Sequence, residues 1–162
     1  MILEKVISGG QTGADRAGLI AAKAMGIKTG GWMPLGFLAY DGEHPEFAEL
    51  YGMMEMISSR YPPRTAMNVK QSDGTLRFAT NWYSPGELLT LRLCNKYDKP
   101  HLEITPGGDV TPVDVARWIA GNNIRVLNVA GNAERTSPGI EEQVIRFLEN
   151  VFQMLLLSAP AA

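Results

Sequence analysis

Three short stretches of the 162-residue chain gather glycine with hydroxyl, amide and carboxyl side chains. They are Gly9-Gly10-Gln11-Thr12-Gly13-Ala14-Asp15-Arg16, then Ser84-Pro85-Gly86-Glu87 with Thr90, then Asn128-Val129-Ala130-Gly131-Asn132 followed by Ser137-Pro138-Gly139. The first has the composition of an anion cradle. Glycine admits positive φ and close approach, and successive backbone N–H groups can converge on a phosphate. Gln11 and Thr12 add side-chain donors, while Arg16 either pairs with the phosphate or is solvated. Ser84 and Ser137 each precede Pro-Gly at a helix start, where a serine caps the helix or touches a ligand anion. Glu87 and Asp15 are the acids available for proton transfer. Glu87 also suits a sugar hydroxyl, or equally a first-turn carboxylate that favours its own helix.

Other chemistries lack their residues. No Lys-Ser or Lys-Thr follows the glycines of the first stretch, and their spacing is not G-x-G-x-x-G. His44, His101 and the single cysteine, Cys94, have no partners at metal-ligand spacing, so no metal site built by the protein is expected. A serine triad would lack its glycine–serine elbow. Asp73, in Ser72-Asp73-Gly74 ahead of a strand, falls at the amino edge and reads as a turn residue. Trp32, Trp82 and Tyr83 are either core packing or rings on which a flat ligand stacks.

The elements that must position these stretches follow from periodicity and punctuation. Ile2 to Ser8 reads as a strand, and Ala17 to Met25 as a helix with Ala17, Ile20, Ala21, Ala24 and Met25 on one stripe, capped by Asp15 and stopped at Gly26. Gly18 permits close packing of helix on sheet. Ile27 to Met33 is extended. Gly36 to Ser72 is long for a connection, the kind of excursion that forms lids, binding loops or oligomer contacts. Within it Met53, Met54, Met56 and Ile57 suit a short helix, Tyr61-Pro62-Pro63 bars a helix interior, and Arg64 to Lys70 makes a helical turn or two. Thr75 to Thr80, His101 to Ile104 and Ile124 to Val129 are strands. Helices run from Glu87 to Tyr97, from a Thr111 cap to Ala120, and from Ser137 onward along Ile140, Val144, Phe147, Leu148, Val151 and Leu155. Cys94 is a small core filler. Strands alternating with helices predict an α/β fold, a three-layer sandwich with a mainly parallel sheet. Ligands bind such sheets beyond the carboxyl ends of the strands, so the three stretches should share one cleft.

The chain is expected to form one ligand-binding domain over residues 1–157, with a frayed tail over 158–162. Fifteen basic and seventeen acidic residues without a basic block argue against nucleic acid as the main partner. No stretch approaches the length of a membrane span, and Met1-Ile2-Leu3-Glu4-Lys5 lacks the apolar run of a signal peptide, so a cytoplasmic protein without a membrane partner is expected. Met154, Leu155, Leu156 and Leu157 make a homo-oligomer interface plausible.

The run Ile7-Ser8-Gly9-Gly10-Gln11-Thr12-Gly13-Ala14-Asp15-Arg16-Ala17-Gly18-Leu19 closely resembles the opening of the molybdenum cofactor carrier family. The likeness continues in Gly30-Gly31-Trp32-Met33-Pro34, Arg64-Thr65 with Asn68-Val69, Ser72-Asp73-Gly74-Thr75-Leu76, and Leu127-Asn128-Val129-Ala130-Gly131 with Ser137-Pro138-Gly139-Ile140. The resemblance implies a Rossmann-like fold related to the lysine-decarboxylase-like proteins and DprA. It also implies a carried ligand, the molybdenum cofactor (molybdopterin), a phosphorylated pterin dithiolene that brings its metal with it. The phosphate would sit on the glycine-rich loop and the pterin on an aromatic ring. One departure lies at Ser84-Pro85-Gly86-Glu87-Leu88-Leu89-Thr90, where relatives carry a loop like Gly-Gly-Thr. Related superfamily members resemble phosphoribohydrolases, which release a base from a nucleoside monophosphate, although their arginine and glutamate helix motif is not evident here. An enzyme of that type is therefore the alternative, with Glu87 and Asp15 as its acids. A nucleotide-ligand sensor is the third option, with Gly36 to Ser72 as a partner contact.

Overall fold

The computed structural model describes residues 3–158. Along the chain lie β1 (Lys5–Ser8), α1 (Ala14–Ala24), β2 (Lys28–Met33), a hairpin of β3 (Leu38–Ala39) and β4 (Gly42–Glu43), α2 (Phe47–Tyr51), β5 (Met53–Glu55), α3 (Tyr61–Gln71), β6 (Gly74–Phe78), α4 (Pro85–Lys96), β7 (His101–Ile104), α5 (Pro112–Gly121), β8 (Val126–Gly131) and α6 (Ile140–Leu157). Six strands form one parallel sheet in the order β5-β2-β1-β8-β6-β7. Helices α1, α5 and α6 pack together over one face, and α3 and α4 over the other. This is a three-layer, Rossmann-like α/β sandwich.

The chain builds outward from β1 to β2 and β5, crosses to β6 and β7, and returns to insert β8 beside β1. The reversal of strand order therefore falls at the centre of the sheet. There the loops after neighbouring strands diverge to opposite faces and leave a crevice at the carboxyl edge. The main core sits between the sheet and α1, α5 and α6, where Val6, Leu76, Leu127, Val129, Ile119, Ile140, Leu148 and Phe152 are all buried. Gly18 lets α1 approach β8, since a Cβ there would lie 2.7 Å from Cβ of Val129. A second cluster joins Leu19 to Met33, Phe47, Tyr51 and Met53, and a third places Cys94 with Val69 and Leu93 beneath α3 and α4.

Several local readings change. Helix α1 begins at Ala14 with Gly13 at the cap position, so Asp15 does not cap it. Asp15 lies one residue inside and accepts the Gln11 N–H through Oδ2 (3.4 Å). Ala24 is exposed, because the second cluster draws Leu19 inward and widens the buried face of α1 on that side. Met53 to Glu55 is an edge strand paired to β2 rather than a helix. Helix α3 runs three turns from Tyr61. Its two prolines sit in the first turn, where N–H groups have no intrahelical acceptor and proline costs nothing. Ile2 and residues 159–162 of the expected tail lie outside the described residues. Among the described residues no helix is long and apolar enough to cross a membrane.

Candidate functional site

A cleft of about 460 Å³ opens at the carboxyl edge of the central strands. All three glycine-bearing stretches reach it: Gly9, Gln11 and Asp15 from the first, Ser84, Gly86, Glu87 and Thr90 from the second, and Asn128, Gly131 and Asn132 from the third. Arg135 joins them from the loop between β8 and α6, and Tyr40, Tyr61, Arg64, Thr65 and Asn68 from the segment between β2 and β6. Gly10, Thr12, Gly13, Arg16, Ser137 and Gly139 do not line it.

The reason lies in where the first loop's donors point. The N–H groups of Gly10, Gln11, Thr12 and Gly13 donate to Ser8 Oγ, Asp15 Oδ2, Gln11 Oε1 and Glu141 Oε1 respectively, and the Ala14 N–H donates to the Asn132 carbonyl. The loop's donors are thus taken one by one by protein acceptors, two of them the carboxylates of Asp15 and Glu141. Helix α6 is closed in the same way, with the Glu134 carboxylate accepting the Gly139 and Glu141 N–H groups. Ser137 accepts a hydrogen bond from Thr80 Oγ1 (2.8 Å), and Asn132 Oδ1 accepts the Thr80 and Asn81 N–H groups, so these two residues tie the β6 and β8 loops together.

Positive charge enters the cleft from elsewhere. Arg64, one turn into α3, lies across Gly9, where a Cβ would come within 2.6 Å of Cζ. Its Nη1 donates to Thr65 Oγ1 (2.7 Å), its Nη2 is 3.7 Å from Asp15 Oδ2, and its buried Nε has no partner among the described residues. Arg135 stacks on Tyr40 with Cζ 3.5 Å from the ring centroid. Tyr40 in turn meets Tyr61 edge-on at 5.5 Å. Arg16 is directed away, holding Asp41 in a two-pronged pair at 2.5 and 3.0 Å. That pair and the Tyr40 N–H donated to Gln11 Oε1 (2.8 Å) fasten the β3–β4 hairpin, and with it Tyr40, over the first loop.

Ser84 caps α4, accepting the Glu87 N–H (3.4 Å). It lines the cleft as well, so both roles proposed for it remain compatible. Glu87 is 2% exposed, and burial pushes its carboxyl up to about 7, against the pull of Arg77. Burial also raises Asp15, with Arg64 as the main opposing influence. Asp73 clips β6 to β8 by accepting the Arg125 and Val126 N–H groups, a long-range tie in place of the local turn role its sequence setting suggests. Trp32, Trp82 and Tyr83 do not line the cleft. Trp32 donates its indole N–H to Gln71, Trp82 covers Arg77, and Tyr83 is exposed. The cleft's aromatic rings are Tyr40 and Tyr61. Neither they nor Arg135 stand out in the sequence, and Arg64 does so only within a family-like motif. The one local signal is a cation directly after Pro62-Pro63. Among the described residues, no group of three His, Cys, Asp or Glu side chains is arranged to hold a metal ion.

The sequence model of the circularly permutated YpsA SLOG family matches residues 6–152. The fold is similar to the crystal structure of a candidate molybdenum carrier protein from Syntrophus aciditrophicus SB. The TM-score is 0.82 at 41% sequence identity, covering 93% of this chain and 94% of that one. Among curated proteins no match is found.

Proposed function

Since the chain belongs to the circularly permutated YpsA SLOG family, we propose that its cleft binds a phosphorylated small molecule and that the protein carries this ligand rather than transforming it. The observation that carries the reading is Arg64. Its guanidinium lies over Gly9, keeps a buried Nε with no partner among the described residues, and shares the cleft with Arg135. Such guanidinium groups recognise phosphate through directed, charge-assisted hydrogen bonds. A cleft of about 460 Å³ suits a ligand of nucleotide size.

The similar bacterial protein is named for molybdenum carriage, which favours molybdenum cofactor as the cargo here. That ligand is a phosphorylated pterin, and its dithiolene supplies the metal's ligands. The phosphate would lie toward Arg64 and Arg135, which pack on the Tyr61 and Tyr40 rings, leaving the other end of the cleft to the pterin. A second reading, hydrolysis of a nucleoside monophosphate, is favoured by one observation: a buried Glu87 whose carboxyl titrates near neutrality, as a general acid or base requires.

Native mass spectrometry of freshly purified protein, followed by denaturation and identification of the released molecule, tests the proposal. A bound phosphorylated pterin with molybdenum supports carriage. Release of free base from a bound nucleotide on incubation contradicts it in favour of hydrolysis.

A further inference from the structure

Glu87 is a buried carboxyl that the fold leaves without a hydrogen bond. Its nearest cation, Arg77 Nη2, is 3.7 Å from Oε2, and that buried oxygen has no donor among the described residues. Arg77 gives its hydrogen bonds elsewhere, from Nη1 to Glu103 Oε1 (3.0 Å) and from Nη2 to the Glu87 carbonyl (3.3 Å). Asn128, 3% exposed on β8, repeats the pattern. Its Nδ2 donates to Thr75 Oγ1 (3.2 Å), which leaves Oδ1 buried and unpartnered. Both residues line the cleft. An unmet buried acceptor is costly, so two in one cleft are expected where a ligand brings the donors.

The cleft therefore asks for a phosphorylated ligand whose other end is rich in N–H or O–H groups. Asp15 lies beside Arg64 at 3.7 Å, close to where the phosphate would sit, and is placed for the hydroxyls next to it. Glu87 and Asn128 then face the far end. A carboxylate accepts best from two adjacent donors. The 2-amino-4-oxo edge shared by guanine and pterin presents such a pair, a ring N–H beside an amino group. Adenine sets a ring nitrogen lone pair beside its amino group, which a carboxylate repels.

Resting on the phosphorylated-ligand reading above, we propose that Glu87 is the specificity-determining residue of the cleft, its carboxylate receiving the paired N–H groups of a 2-amino-4-oxo heterocycle while Asn128 Oδ1 offers a further acceptor. Ligand affinity then depends on pH, because only the ionised carboxyl accepts both donors. Arg77 on β6, Glu103 on β7 and Asp15 on α1 are the charged groups that act on Glu87, the two acids raising it and the arginine lowering it. With the group titrating at about 7, affinity for the heterocycle rises roughly tenfold from pH 6 to pH 8.

The test is isothermal titration of GMP, AMP and ribose 5-phosphate into the wild-type protein and E87Q at pH 6 and pH 8, with circular dichroism as the check on folding. The wild-type protein is expected to prefer GMP over AMP by tenfold or more at pH 8 and by less at pH 6. E87Q is expected to lose both the preference and its pH dependence. Equal binding of GMP and AMP by the wild-type protein overturns the inference, as does a preference that survives in E87Q. Ribose 5-phosphate bound without discrimination between GMP and AMP overturns this inference alone. Failure of all three compounds to bind overturns the phosphorylated-ligand reading with it.

Discussion

Gly9 positions a charge by lacking a side chain. The Arg64 guanidinium occupies the space a Cβ would fill, 2.6 Å from Cζ. The atoms in the way are the far end of a flexible side chain, so Gly9→Ala should displace the arginine at little cost to the fold. The expected stability change is below about 1 kcal/mol by thermal melting, while GMP affinity falls about tenfold because a charge-assisted contact is lost. Unchanged affinity in Gly9→Ala would mean that Arg64 does not touch the ligand. At this scale the sequence shows the acids better than the cations. Ser84, Glu87 and Asp15 stand at helix starts behind recognisable turns, so their place at a sheet edge follows from the chain. Arg64 and Arg135 reach the cleft only through the tertiary path of their segments. Arg16 sits beside the right glycines, yet the fold turns it to Asp41.

Among the elements, the β3–β4 hairpin brings Tyr40 to the cleft wall. It is fixed by Arg16 on Asp41, by Gln11 on the Tyr40 N–H, and by His44, whose two ring nitrogens meet Asp41 Oδ1 at 2.7 Å and Glu46 Oε1 at 2.8 Å. The Arg16 and His44 contacts hold Asp41 well below the usual carboxylate range. A depressed carboxyl contributes stability above its unfolded value near 4 and loses it as pH falls, so the latch is intact at neutral pH. Asp41 is partly exposed, so Asp41→Asn should cost under about 1 kcal/mol of global stability. Amide exchange at Tyr40 and along the hairpin should nonetheless quicken several-fold, measured by hydrogen–deuterium exchange. Exchange as slow as in the wild-type protein would show that the hairpin is held by something other than these ion pairs. The strands and helices with clear periodicity, β1, β6, β7, α1, α4, α5 and α6, are legible in the sequence to within a few residues at their ends. β5 is not, since a three-residue edge strand is defined by its pairing with Gly31, Trp32 and Met33 of β2 rather than by its own methionines. Nor is the length of α3, because proline bars a helix interior but not a first turn.

For the molecule as a whole, inserting β8 between β1 and β6 brings three separate loops to one crevice, and the long excursion after β2 supplies Arg64 and the rings of Tyr40 and Tyr61. Strand–helix alternation foretells the parallel sheet and the shared cleft. It does not foretell that the glycine loop and α6 would be capped by carboxylates of the protein itself, because Glu141 lies 128 residues from the Gly13 N–H it accepts. On the proposed reading the ligand phosphate is received by Arg64 and Arg135 instead. Isothermal titration of GMP into the wild-type protein and Arg64→Ala at pH 8 tests this most directly. Removing the guanidinium should weaken binding roughly 10- to 100-fold while the circular dichroism spectrum stays the same. Equal affinity in the two proteins would contradict it and return the phosphate to the glycine loop.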